Sequence, residues 1–234
     1  MNTLSLKLGY WAAVLSIVTG IGYGVGLIVV FAIFPSPPWT TLAEYAASIS
    51  SANLTAGSLS QFMGFLSIPL NVILFCSIHD LAQGDRRTLT RIALSFVLCY
   101  ASLGGITYFL QFTTVRVNIA QGHLQGLEHF VEANPTSAVN AIGVLGWNVF
   151  LGLAFLFVAP VFSGSRLEKA LQTLFWIEGI ISILGGLGYA AEVYVIYALY
   201  LIGIASAGTV LVILLAIFFR RKLKSTLAPA SLRP

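Results

Sequence analysis

Apolar residues in this chain come in long, nearly unbroken runs, without the alternation of a half-buried strand or the one-sided stripe of a surface helix. Six runs reach the length of about 20 residues that a helix needs to cross the hydrocarbon core of a bilayer. They predict spanning helices at Tyr10 to Phe34, Leu59 to Leu81, Ile92 to Phe112, Ala138 to Phe162, Ala170 to Tyr189 and Val193 to Phe219. The last two are separated only by a short turn around Glu192, the least marked boundary. The first run is much longer than the apolar region of a signal peptide (about 7–15 residues) and ends without a small-x-small cleavage site, so it reads as a retained helix. The expected fold is all-α: one polytopic domain over residues 1–234 with a basic tail at 220–234.

Composition agrees with the pattern. Of 234 residues, 58% are hydrophobic and 9% charged, against about 25% charged in soluble domains. A soluble surface could not be built from so little charge, so lipid must cover the outside. The few charges also give a direction. If successive runs cross in opposite senses, Lys7, Arg86, Arg87, Arg91, Arg166 and Lys169 share one side with the C-terminal basic residues Arg220, Arg221, Lys222, Lys224 and Arg233. Arg116 alone lies on the other, together with Glu44, Glu128, Glu132 and Glu192. Eleven basic residues against one is the positive-inside pattern, which places both termini in the cytoplasm. The net charge of +4 then reflects orientation and attraction to anionic lipid, and nucleic acid is not an expected partner.

The two longer outer loops carry local signals. Pro35, Pro37, Pro38 and Trp39 open the first, Thr41 and Glu44 have capping-box spacing, and Asn53-Leu54-Thr55 matches a glycosylation acceptor. In the second, Leu124, Leu127, Phe130 and Val131 fall on one helical face and Gln121, Gln125, Glu128 and Glu132 on another. This predicts an amphipathic interfacial helix ended by Asn134-Pro135, with Thr136 or Ser137 capping the fourth span.

Three short strings resemble one another: Thr19-Gly20-Ile21-Gly22-Tyr23, Gly104-Gly105-Ile106-Thr107-Tyr108 and Gly185-Gly186-Leu187-Gly188-Tyr189. Asn71-Val72-Ile73-Leu74 and Asn148-Val149-Phe150-Leu151 are a second, weaker pair. One reading is three helical hairpins in parallel, as in some transporters. The other is that glycine within membrane helices and tyrosine near their ends are common. The pairs Gly20-x-x-x-Gly24, Gly22-x-x-x-Gly26 and Gly203-x-x-x-Ala207 read as close-packing faces between helices.

Glu178 is the outstanding candidate for chemistry, because no other charged side chain falls so deep within a span. A charge at mid-bilayer costs on the order of 2.5–3.5 kcal/mol on insertion scales, so such a residue faces the bundle interior, finds a partner or stays protonated. Ser182, Gly185 or Gly186 and Tyr189 follow it on one face. Gln61, Gly64, Ser67 and Asn71 share a face of the second span, which Pro69 is expected to kink; Tyr100, Gly104, Thr107 and Gln111 share one of the third. The expected site is Glu178, Asn71, Asn148 and Ser182, holding a small polar ligand or cation; the alternative is a neutral acid that ties helices together.

Other chemistries find no support. Cys76 and Cys99 sit in apolar runs without disulfide or zinc spacing and read as buried. His123 and His129 are six apart and do not share a helix face, and His79 stands beside Asp80, so neither a metal centre nor haem is expected and no cofactor is assigned. There is no H-E-x-x-H, G-x-S-x-G or P-loop motif, and no enzymatic activity is expected. The long loop after the first helix, Gly152-Leu153 with Ala159-Pro160-Val161-Phe162-Ser163-Gly164, and Gly179 with Gly185-Gly186-Leu187-Gly188-Tyr189 resemble a family of prokaryotic six-helix membrane proteins of unknown function. That resemblance implies a prokaryotic plasma membrane and carries over no functional residues. Two functions stay open: a carrier for a small molecule or ion, and a non-catalytic protein that binds lipid or a partner.

Overall fold

In the computed structural model residues 3–33 and 39–227 are described. The Pro35, Pro37 and Pro38 cluster and Arg233 lie outside them. The described residues contain helices and no strand. Six helices are long and apolar enough to cross a membrane, as in a multi-pass membrane protein. They are α1 (Thr3–Ile28), α3 (Ser51–His79), α4 (Asp85–Gln121), α5 (Ala138–Val161), α6 (Arg166–Ala190) and α7 (Val195–Leu227), with a short α2 (Leu42–Ser48) between the first two. The basic run Arg220–Lys224 forms the last turns of α7.

Local chemistry fixes several ends. Thr41 caps α2 by accepting the Glu44 N–H at 3.2 Å, whereas the Glu44 carboxylate bonds the Thr40 hydroxyl and does not return to Thr41. Ser50 caps α3, so that helix starts eight residues before the apolar run does. Asn53 is thereby buried at its first turn, with its amide on the Val30 carbonyl, and the glycosylation signal is not presented at the surface. Ser165 and Glu168 form a reciprocal capping box on α6, and Ser137 caps α5.

The amphipathic helix expected over 124–132 does not form. Gly122 and Gly126 adopt left-handed backbone (φ 72° and 76°), which ends α4 and turns the chain twice, leaving only a 3₁₀ turn at Glu128–Phe130. Leu127 and Val131 instead pack with Leu42, Val115 and Ile119 in a small cluster over the end of the bundle.

The six spans pack in sequence order and close on themselves: α1 on α3, α3 on α4, α4 on α5, α5 on α6, α6 on α7 and α7 back on α1. The result is a ring. The position before the tyrosine of the three similar strings has the same role in each: Gly22 packs on Met63, Thr107 on Gly143 and Gly188 on Ile196, in every case toward the next helix. Gly26 adds a close approach, since a Cβ there would stand 2.6 Å from the Ser60 Cβ. Gly203 likewise lies against Ile181. Gly20 and Gly24 do not pack as expected. Both face open space, because they lie on the side of α1 turned away from α3. Cys76 and Cys99, expected to be buried, are exposed on outer helix faces, where lipid accepts an apolar side chain as readily as a core does.

One end of the ring carries the basic loops and is filled. Phe162, Phe175, Phe219, Leu6, Leu171 and Val158 are almost wholly buried there, and the Phe162 and Phe175 rings stack at 5.4 Å. Polar ties hold this end together. Ser5 donates to Asp80, Lys222 pairs with Glu168 at 3.1 Å, and Arg86 donates to the Val161 carbonyl at 3.2 Å and the Ser163 hydroxyl at 2.6 Å.

Candidate functional site

The ring encloses a central cavity of about 480 Å³ to which all six spans contribute. Its floor, above the plugged basic end, is apolar: Phe75, Phe155, Phe175 and Leu215. Polar groups and aromatic rings line the middle and the opposite end.

Glu178 reaches the cavity because of how α6 sits on α5. Gly179 and Gly152 let the two backbones meet: a Cβ on Gly152 would lie 3.2 Å from the Gly179 carbonyl oxygen. The helical period then points Trp176, Ile177 and Ile180 outward and leaves Phe175, Glu178, Ser182 and Gly185 on the buried face. Glu178 is 1% exposed, and neither carboxylate oxygen has a hydrogen-bond partner. The space beside Gly208 of α7 lies 3.7 Å from its Oε1. A buried polar group without a partner is uncommon in a native protein and calls for a reason.

Three of the four residues expected at the site, Glu178, Asn148 and Asn71, line this one cavity. Asn148 donates to the Ser182 carbonyl at 3.1 Å. Asn71 donates to the Ser67 carbonyl at 3.1 Å, two residues before Pro69, and to the Tyr100 hydroxyl at 3.2 Å. Ser182 is not on the cavity wall; it is fully buried where α6 meets α5, against Gly152, and its backbone carbonyl holds Asn148 in place.

The wall also holds groups that the sequence did not single out for this role. Trp147, next to Asn148, lines the cavity with its indole N–H buried and unpartnered. It sits on a π-helical stretch of α5, Leu145–Phe150, one of four among the described residues, and another in α7, Ile204–Gly208, also contributes to the cavity wall. An extra residue per turn re-aims side chains, and such segments are frequent at functional sites. The Trp147 ring meets Tyr108 at 5.8 Å, and Tyr108 meets Tyr23 at 6.1 Å. Tyr197 and Tyr200 stand on the α7 side.

Glu132 closes the loop end of the cavity. Gln111 staples its segment down, donating to the Phe130 carbonyl at 2.7 Å and accepting the Glu132 N–H at 3.0 Å, while the Glu132 carboxylate bonds Gln61. Burial raises the Glu132 pKa above the ordinary carboxylate value, and the bond from Gln61 only partly opposes this. Burial also raises the Tyr45 phenol, with the Glu132 charge adding to the effect. The cavity thus has a carboxyl group at mid-depth and one at its loop end. Among the described lining residues there is no lysine, arginine or histidine. The described residues hold no cluster of three or more metal-ligating side chains.

No family model, no curated protein and no solved structure matches the chain.

Proposed function

We propose that this protein is a membrane carrier whose ligand, a small molecule with a cationic or hydrogen-bond-donating group, is held by Glu178 in the central cavity. The observation that carries this reading is the unpartnered Glu178 carboxyl on the wall of a cavity large enough for a ligand. An acid kept in a membrane span only to tie helices together would be bonded to a neighbour, as Asn148 and Asn71 are. The carboxyl is instead left for something that comes and goes. By the positive-inside rule the plugged, basic end faces the cytoplasm, so this conformation is closed to the inside. Transport then requires the aromatic plug and the Ser5–Asp80, Lys222–Glu168 and Arg86 ties to part. Helices that rock about a fixed central site would achieve this.

The open flank at Gly20 and Gly24 favours a second reading, in which the ring binds a lipid or a partner helix and moves nothing. One experiment tests both. Purified wild type and Glu178→Gln are heated with a panel of organic cations, neutral polar metabolites, anions and lipids, since a ligand specific to the folded state raises its apparent stability. Stabilisation of wild type alone by a cation or polar donor supports the carrier. Stabilisation of both proteins equally, and by lipid alone, supports the second reading and removes the first.

A further inference from the structure

We infer that the cavity takes an organic cation with an apolar body, admitted sideways from the bilayer through a slit between α1 and α7. This rests on the reading of Glu178 as a ligand-holding acid and names the ligand class and its route.

The ring is not equally closed all round. The packing of α1 on α7 is made by Thr209–Leu227, the half of α7 toward the basic end. Four lining residues are exposed: Gly20 and Ile21 on α1, and Leu201 and Thr209 on α7. All four belong to the two helices that close the ring. Gly20 and Gly24 have open space where side chains would stand. The slit leads toward the acid: Thr209, Gly208 and Glu178 line the same cavity, and a Cβ on Gly208 would lie 3.7 Å from Glu178 Oε1. Ile21 and Leu201 (59% and 48% exposed) give the slit apolar lips that lipid can wet.

The chemistry of the wall selects the occupant. Glu178 and Glu132 supply carboxyl groups that turn negative when they give up a proton, and no described lining residue supplies a positive charge to balance them. A phosphate or carboxylate on the ligand would face repulsion with no compensating contact, which disfavours phospholipids. Tyr23, Tyr108, Trp147, Tyr197 and Tyr200 present aromatic rings, whose faces attract organic cations once water is removed. A bare metal cation finds no cluster of three or more acidic, histidine or cysteine ligands among the described residues. The apolar floor of Phe75, Phe155, Phe175 and Leu215 suits a hydrocarbon body. The unpartnered Glu178 carboxyl, buried at the end of this path, is where the cationic head comes to rest.

The test uses the full chain in lipid nanodiscs. The probe is tetraphenylphosphonium; tetraphenylborate has the same shape with the opposite charge, and tetramethylammonium is a small hydrophilic cation. Wild type should bind tetraphenylphosphonium saturably and be stabilised by it, Glu178→Gln should bind it at least tenfold more weakly, and tetraphenylborate should bind neither. Gly20→Leu/Gly24→Leu should fold normally and take up the probe at least tenfold more slowly; Leu201→Trp narrows the slit from the other side and serves if the double variant fails to fold. Glu178-dependent binding of tetramethylammonium without tetraphenylphosphonium overturns this inference and leaves the carrier reading intact. No cation binding that depends on Glu178 overturns this inference, and it overturns the carrier reading as well when no neutral polar donor stabilises wild type over Glu178→Gln. Unchanged uptake by both slit variants overturns the lateral route.

Discussion

Replacing Glu178 with methionine separates an acid kept for a ligand from one kept for structure. The carboxyl is 1% exposed and has no partner, so the substitution breaks no hydrogen bond. It removes a polar group whose unsatisfied burial costs about 1–3 kcal/mol, and methionine fills similar space with an adaptable apolar chain. A chain of this size shifts its Tm by roughly 2–4 °C per kcal/mol, so the variant should unfold about 2–12 °C higher than wild type. Tryptophan fluorescence during heating reads the transition, and a single scan rate must be kept because irreversible unfolding makes Tm rate-dependent. The same variant should lose the stabilisation that the cation probe gives wild type. A Tm more than a few degrees below wild type would refute the reasoning, since it would mean that the carboxyl holds the helices together. A gain in stability at the expense of binding is the usual mark of a functional site.

Other consequences follow from the same geometry. Gly26→Leu should destabilise by about 1–3 kcal/mol through overpacking on Ser60, whereas Gly24→Leu, facing open space, should leave Tm within about 2 °C; equal effects in thermal unfolding would contradict the assignment of the two faces. Phe175→Ala should cost about 3–5 kcal/mol by opening a void in the plug, read as a lower Tm and, in proteoliposomes, as leak of the ligand across the basic end; a silent variant would show that the plug is not the closure. Glu132 has a raised folded-state pKa, so the folded protein holds that proton more tightly than the unfolded chain. Its contribution to stability is therefore full below the ordinary carboxylate pKa and is lost as pH rises through the raised value. Over that window the Tm of wild type should fall relative to that of Glu132→Gln, and parallel curves would contradict this.

The spans were legible because an apolar run of membrane length admits few other solutions. Their ends were less so: α3 begins at Ser51 because Ser50 can cap it, and α4 runs on to Gln121 until Gly122 turns left-handed. Gly122 and Gly126 break the amphipathic helix expected at 124–132, because face periodicity does not register the left-handed backbone inside it. Glu178 stood out as a lone deep acid, and Asn71 and Asn148 join it on the cavity wall. Ser182 shared its face in projection but is covered by α5 at Gly152, which spacing along one helix does not reveal. Trp147 and Tyr200 are not legible as cavity residues, because an aromatic residue in an apolar run looks the same whether it faces lipid, core or cavity. Their placement depends on which helices are neighbours, and the closing contact of α1 with α7 is remote in sequence.

The most direct test of the account is carbodiimide labelling of the protein in membranes. Dicyclohexylcarbodiimide reaches protonated carboxyl groups from apolar surroundings, and peptide mass mapping locates the adduct. An unpartnered acid in a cavity open to the bilayer should react at Glu178, and saturating tetraphenylphosphonium should protect it. An unlabelled Glu178 under conditions that modify other carboxyl groups, or labelling that no cation suppresses, would contradict a ligand site at this residue.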